Sequence, residues 1–462
     1  MLAAAAIARA LPRSRVTLIG TPVDLAALAD FAHTGHPSLA RVHARLGLDE
    51  PEMIKRADGT HRLEIRYRGW GRDGLEWCVG YGSASKAALY GLIDGFPDEA
   101  ILHRGCTSPA AAIAASGRFA LPSDDPHSAL SDIDYALRFD PVRYRRGLSA
   151  LLARHRVARL EGDPAAIIRN EAGAIVRAVL HDGRHVEADI FVDATGPAAR
   201  LLEMAGLRER YDWSARLPVN RLIVADLEDD PALCVTDVVE ALPEGWHFHS
   251  PGRDATRVGI AFHSATTSDE RASELLSLTA GNTAAIIHPI APGRLVRPFV
   301  HNVVALGDAA AAFEPLAWCN LHLAMESIEL LLELLPGCPI EPLERDEYNR
   351  RWGMLADRTA DYVAAHYVAP MRNGPFWRHA AALERSPGLA RTVDEFARRS
   401  RLPLFEEESV SKDQWLQLLI GSGAPAAPGA EQLAISQARR LAIVQAEIER
   451  MESAIACAVP YR

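Results

Sequence analysis

The sequence predicts an α/β fold: a nucleotide-binding sheet, a second sheet interleaved with it, and a helical C-terminal module. Three stretches predict it. Val303-Val304-Ala305-Leu306-Gly307-Asp308 reads as a short buried strand that ends in Gly-Asp and turns at once into a long apolar helix. Asp189-Ile190-Phe191-Val192-Asp193-Ala194-Thr195-Gly196-Pro197 reads as a second buried strand, ending in Thr-Gly. The opening, a helix over Leu2–Leu11 and a strand over Val16–Ile19, forms the second half of a βαβ unit. At such strand ends a glycine lets the backbone approach a ligand closely. A helix N-terminus beside it offers unpaired N–H groups and a positive dipole end to a phosphate or carbonyl oxygen.

Taken in order, the first half of that βαβ unit, a strand and a G-x-G-x-x-G turn, is expected upstream of residue 1. Gly20 stands where the second strand of such a unit usually carries an acid for the adenosine ribose. A loop and the helix Leu39–Leu46 follow. In Thr60–Trp70, Leu63, Ile65 and Tyr67 alternate with charged residues, as in a half-exposed strand. Leu89–Ala115 contains helical material with a turn near Gly95-Phe96-Pro97. Phe139-Asp140-Pro141 opens an arginine-rich helix to His155. Val157–Leu160, Ile167–Arg169 and Ile175–Leu180 form a three-stranded excursion, with turns at Asn170–Gly173 and His181–Gly183. Arg221–Ala225, Gly245–His249 and Arg257–His263 are strands of the second sheet. Leu323–Leu335 and Asp346–Tyr367 are helices, and Gly421–Gly429 is a flexible linker before a terminal helix, Glu431–Ala456. The expected domains are residues 1–330, with the second sheet at about 205–300, and residues 331–462.

A chain of 462 residues buries a large core. Net charge −10 and a pI near 6.0 give no basic footprint for nucleic acid. No apolar run is long enough to span a bilayer, and the six cysteines show no metal or disulfide spacing. A reducing cytoplasm and no metal are the expectation. Lysine occurs only as Lys55, Lys86 and Lys412, against abundant arginine.

The Thr-Gly and Gly-Asp strands resemble the FAD-binding domain of glutathione-reductase-type flavoproteins. Gly245-Trp246-His247-Phe248-His249-Ser250-Pro251 is similar to a G-W-x-W-x-I-P segment. Arg358, Asp361, His366-Tyr367, Pro375-Phe376-Trp377, Phe405–Ser409, Trp415 and Gly421 are similar to a C-terminal helical module, and Asp134-Tyr135-Ala136 with Phe139-Asp140 to its lead-in. In order and spacing these segments resemble the flavin-dependent tryptophan halogenase family over nearly the whole chain. The resemblance implies a bacterial flavoprotein oxidoreductase that uses FAD, reduced by a separate flavin reductase, with a small-molecule substrate and a homodimeric state. It implies FAD contacts at Thr195, Gly196, Gly307, Asp308, Pro315, Asn320 and Leu321, Asp308 accepting a hydrogen bond from a ribityl hydroxyl. It also implies a second sheet that covers the flavin and forms a substrate chamber. In the family a lysine and a glutamate position hypochlorous acid against an aromatic carbon.

Two positions depart from that chemistry. The family lysine falls on Arg62, which stays protonated and cannot serve as a nucleophilic amine. The family glutamate falls on Ala317, whose methyl group neither accepts a proton nor orients an acid. Trp318-Cys319-Asn320 replaces Ser-Thr-Gly, and the family's G-E-A-T segment is reduced to Ala32-His33-Thr34-Gly35. Histidines 33, 36, 61, 247, 249 and 322 are the candidates near the cleft. His247 and His249 share one strand face, for a catalytic or substrate role or as hydrogen-bonded wall residues, while Trp246 and Phe248 separate flavin from substrate or pack a core. The expected function is an FAD-dependent oxidoreductase or monooxygenase acting on a small aromatic or amine-bearing substrate without halogenating it. The alternatives are a lapsed flavoprotein-fold interaction protein and a true halogenase with altered acid–base residues.

Overall fold

The computed structural model describes residues 1–462 apart from 72–73, 75, 93–100, 103–104, 229–232, 282, 338 and 369–372. The turn expected at Gly95-Phe96-Pro97 lies outside the described residues. The chain gathers into two compact units. One comprises Met1–Gly59, Phe139–Ser214 and His288–Asp357; the other comprises Thr60–Arg138, Ala215–Ile287 and Arg358–Arg462.

Parallel strands organise the first unit. Thr17–Gly20 pairs in parallel with Ala158–Glu161, Gly20 opposite Glu161. That segment was expected in the three-stranded excursion. The excursion instead consists of Pro164–Arg169, Ile175–Leu180 and the short His185–Glu187. Phe191–Asp193 runs parallel to Val303–Ala305, and Phe299–Val300 closes the far side antiparallel. Val303, Val304 and Ala305 are buried, as a β-rich apolar run in a parallel strand must be. Asn302 clasps the excursion to this sheet. Its side chain accepts from the Ile175 N–H at 2.8 Å and donates to the Ile175 and Asp189 carbonyls. Helix Pro141–Arg154 starts where expected, because Asp140 caps the Arg143 N–H at 2.6 Å and proline sits in the first turn.

The long helix does not follow Gly-Asp directly. Gly307–Ala309 is a single 3-10 turn, and Ala311–Ala312 pairs with Gly293–Leu295. Leu316–Trp318 is a second such turn, and the helix runs over Cys319–Glu333. Pro315 explains the delay. It has no N–H to give a helix and bars the preceding residue from helical backbone, so the alanine run becomes a strand.

The second unit carries the strands Arg221–Leu227, Thr256–Phe262, Gly245–Pro251, Thr236–Leu242, Glu64–Arg68 and Trp77–Gly80, neighbours in that order in the larger sheet. All the described pairings are antiparallel except that of Thr236–Leu242 with Glu64–Arg68. Helix Asp269–Ala280 covers one region, packing Ala272, Leu276 and Ala280 against Ile223, Ala225, Val258, Ile260 and Phe262. Helix Lys412–Gly421 lies by the edge strand. There the Gln417 amide bonds both the N–H and the carbonyl of Gly80, as a neighbouring strand would.

Two further expectations change here. Thr60–Trp70 is not one half-exposed strand. It breaks at Leu63, Thr60–Arg62 pairing with Ala136–Arg138 and Glu64–Arg68 joining the large sheet. Arg62 and Glu64 are as buried as Leu63 between them, because both faces are covered. Nor is Gly421–Gly429 a free linker. Gly421 packs on the Trp77 indole, where a Cβ would come within 2.7 Å, and the Ala427 N–H bonds the Ala397 carbonyl at 2.8 Å. The terminal helix after it is Gln437–Cys457, capped by Ser436.

Gly82 tests this packing. Its φ is +104°, and an added Cβ would collide with the Asp132 carbonyl and lie 2.8 Å from the Ile133 Cα. Gly82→Ala is expected to lower stability by about 2 kcal/mol or more, read by denaturant unfolding.

Candidate functional site

In the first unit the two motifs found in the sequence meet across the segment Asp24–Ala29. Asp308 is buried, and its Oδ2 accepts the Ala29 N–H at 2.7 Å. Burial pushes its carboxyl well above the ordinary range, opposed by the Ala29 bond and reinforced by Asp30 and Asp24. Gly307 has φ +61°, which favours glycine, and a Cβ there would meet nothing nearer than the Ala324 methyl at 3.8 Å. On the other strand, Gly196 has φ +79°, and a Cβ would press within 3.3 Å of Ala27 and Asp24. Thr195 is held from below: its hydroxyl donates to Asp193 at 2.7 Å and accepts the Arg200 N–H at 2.8 Å. Asp193 also accepts the Leu201 N–H, so one buried carboxylate sets the turn and starts the next helix.

Pro315 leads into the turn that holds Ala317. Ala317 and Trp318 both have left-handed backbone, φ +55° and +57°, which costs a non-glycine residue on the order of 1 kcal/mol each. The Ala317 carbonyl is 2.9 Å from His36 Nε2, and the His33 ring meets Trp318 edge-on at 4.4 Å. The remnant of the G-E-A-T segment thus packs on the loop that carries the family glutamate position. His36 also lies over His322, ring centroids 4.7 Å apart; burial lowers His322 to about 3, so it is neutral, and its Nδ1 meets the Ser38 hydroxyl at 2.8 Å. Helix Cys319–Glu333 begins here without a side-chain cap, which leaves its leading N–H groups, Asn320 and Leu321 among them, without intrahelical acceptors. The Asn320 amide donates to the Phe313 carbonyl at 2.7 Å, while its buried Oδ1 has no partner.

In the second unit Arg62 is wholly buried. Its guanidinium donates to Asp237 at 2.5 Å and to the Tyr81 hydroxyl at 2.5 Å. Asp237 also accepts from Arg138 at 2.8 Å and from the Ser250 hydroxyl at 2.6 Å. Burial opposes the Arg62 charge, but Tyr81 and Asp237 outweigh it and hold the group above its ordinary value. Asp237, Arg138, Tyr81 and Ser250 escape sequence reasoning. The alternation of buried Asp237, Val239 and Ala241 along Thr236–Leu242 is the signal that could have found the first of them.

Strand Gly245–Pro251 presents Trp246, Phe248 and Ser250 on one face, His247 and His249 on the other. Burial lowers His247 to about 4, with His249 adding to the effect. Phe248 packs on Gly259, where a Cβ would lie 2.8 Å from its Cζ. The Trp246 indole donates to the Tyr367 hydroxyl at 3.0 Å, and Trp70 sits against Trp246, Tyr367 and Trp377 at 5.2–6.3 Å. His366 joins this cluster through the Tyr67 hydroxyl at 3.0 Å. His61 stacks on Phe119 at 4.2 Å. Arg358 stacks on Trp415 and Phe405 and pairs with Glu408, so these module residues serve packing. Among the described residues no three His, Cys, Asp or Glu side chains converge as metal ligands, and no helix is long and apolar enough to cross a membrane.

Parallel strands ending in Thr-Gly and Gly-Asp, with an uncapped helix start beside the latter, are the framework of a dinucleotide-binding α/β protein. Comparison with known proteins then identifies the particular family. The tryptophan halogenase signature matches residues 1–436, and the chain belongs to that family. It is 28% identical over 248 residues to tryptophan 7-halogenase KtzQ of Kutzneria sp. (strain 744), a match covering 51% of this chain and 45% of that protein. The chain spans about half the length of the curated relatives it matches first. Its fold matches BrvH, a flavin-dependent halogenase from Brevundimonas sp. BAL3, with a TM-score of 0.89 at 24% identity, over 99% of this chain and 95% of that one. Xcc4156, a flavin-dependent halogenase from Xanthomonas campestris, matches with a TM-score of 0.88 at 25% identity, over 99% and 94%. The mixed α/β fold with its C-terminal helices is therefore as expected, and the relatives are flavin-dependent enzymes.

The residues present fit a flavin. A buried carboxyl can accept from a ribityl hydroxyl at Asp308, the space at Gly307 admits close approach, and Asn320 Oδ1 is a buried polar atom without a partner.

Two variants test these networks. Because the Asp308 carboxyl is raised above 3.8 on folding, its contribution to stability is full below that value and is lost as pH rises. Asp308→Asn in the flavin-free protein is therefore expected to exceed the native chain in stability at pH 8, with the gap closing toward pH 4, read by denaturant unfolding. Asp237→Asn leaves two buried guanidinium groups short of their shared carboxylate, and about 3–5 kcal/mol of stability should be lost in the same measurement.

Proposed function

We propose that this chain is an FAD-dependent oxidoreductase of the halogenase family that oxidises a small aromatic or amine-bearing substrate and does not halogenate it. Reduced FAD would come from a separate flavin reductase in the cytoplasm. The observation that carries the reading is the engagement of Arg62: fully buried, it is committed to Asp237 and Tyr81. It therefore offers no amine, and the family's second group is the methyl of Ala317.

In this reading the first unit binds the flavin. Asp308 accepts a ribityl hydroxyl, Gly196 and Gly307 allow close approach, and the N–H groups at Asn320 and Leu321 face a flavin carbonyl; Thr195 and Pro315 shape the two turns. When bound, reduced FAD supplies the electrons that activate oxygen. His36 and His33 hold the Ala317–Trp318 loop, and the neutral His322 leaves that wall uncharged. The second unit supplies the substrate side, with His247 and His249 as candidate polar contacts and Trp246 and Phe248 as an apolar wall. The strands that lie within about 205–300 are the substrate-covering element, and residues 331–462 are the helical module of the chain.

The test is to titrate the protein with oxidised and reduced FAD, then supply reduced FAD, oxygen, halide and indole and analyse products by mass spectrometry. FAD binding with oxygenated and unhalogenated product is expected. Halogenated indole from the native chain would establish the competent halogenase instead, and no flavin binding by the folded protein would establish the lapsed scaffold. Asp308→Ala should weaken FAD binding by about 1 kcal/mol or somewhat more.

A further inference from the structure

We infer that Glu161, from the strand beside Gly20, provides the carboxylate that receives the adenosine ribose of a bound dinucleotide. In open α/β sheets ligands bind outside the carboxyl ends of the strands, and dinucleotide folds place an acid there for a ribose hydroxyl. The first unit ends its second-strand position in Gly20, which has no side chain. Glu161 is the partner of Gly20 in the parallel pair, at the same strand ends.

The carboxylate lies over the glycine. A Cβ built on Gly20 would stand 2.6 Å from Glu161 Oε2 and 3.1 Å from its Cδ and Oε1, so Glu161 occupies the space where a side chain at position 20 would begin. Neighbouring strands are less than 5 Å apart, a gap that a glutamate side chain spans. The backbone around it is tied down. Gly20 accepts the Gly162 N–H at 3.2 Å, and the Glu161 carbonyl accepts from Arg184 at 2.5 Å. Arg159, two residues earlier, lies 3.6 Å from Oε1, while Oε2 is the oxygen nearest Gly20. The Glu161 side chain is 78% exposed and open to a ligand. In this chain the acid stands one strand across, and the glycine makes room for it.

This inference rests on the FAD-binding reading, and its test separates the two. FAD and an FAD analogue carrying 2′,3′-dideoxyadenosine are titrated against the native chain, Glu161→Ala, and Glu161→Ala with Gly20→Glu. The native chain should prefer FAD over the analogue by on the order of tenfold, the strength of a charge-assisted hydrogen bond. Glu161→Ala should lose that preference with its flavin-free unfolding midpoint unchanged, and adding Gly20→Glu should restore it. FAD binding by the native chain with no preference, or a preference that survives Glu161→Ala, overturns the assignment and leaves the flavin reading standing. A native chain that binds neither ligand overturns both.

Discussion

The Asp237 carboxylate, shared by Arg62 and Arg138, is the constraint on which the second unit depends. Burying one carboxylate between two guanidinium groups is tolerable only when nearly every polar atom finds a partner, since ion desolvation costs several kcal/mol per group. Ser250 and Tyr81 supply partners, and the Cys234 and His61 carbonyls accept from Arg138 Nη1, which leaves the buried Arg138 Nη2 as the exception. The arrangement ties four separate stretches together: Thr60–Arg62, Ala136–Arg138, Thr236–Leu242 and Gly245–Pro251. A lysine could not fill this place, because its single ammonium cannot face a carboxylate and a hydroxyl from one planar fork. Arg62 is therefore a part of the scaffold as well as an altered site residue.

The first unit uses the same device with different partners. Asp193 holds the Thr-Gly turn, Asn302 clasps the excursion, and Asp308 reaches across to Ala29. Asp193 is satisfied by local donors, and Asn302 by the distant Ile175 backbone. Asp308 differs, since burial keeps its carboxyl toward the neutral form. The cost of that burial falls on the group best placed to meet a hydroxyl-bearing ligand, a common trade between stability and function.

Strand and helix positions were largely legible in the sequence because their signals are local. Val303–Ala305 and Phe191–Asp193 are continuous apolar runs with glycine at the end, and Pro141–Arg154 carries its cap and its proline. The failures are equally local in origin. The alanines after Asp308 favour a helix, yet Pro315 and the Gly293–Leu295 edge turn them into a strand. Thr236–Leu242 alternates in burial, but its acids interrupt the apolar pattern, and no strand was expected there. Of the candidate site residues, the Gly-Asp and Thr-Gly ends, Arg62 and Ala317 were singled out in the sequence; Asp237, Arg138, Tyr81 and Glu161 were not.

By itself the sequence determined the α/β class, the strand ends in Thr-Gly and Gly-Asp, and the arginine and alanine at positions 62 and 317 where the resemblance expects a lysine and a glutamate, because each is written in neighbouring residues. Only the tertiary structure decided that Arg62 is locked by a carboxylate 175 residues away, that Asp308 is buried against Ala29, and that Glu161 covers Gly20. Those outcomes depend on strand register and on which faces are covered, and a pairing between distant segments leaves no periodic trace in either one.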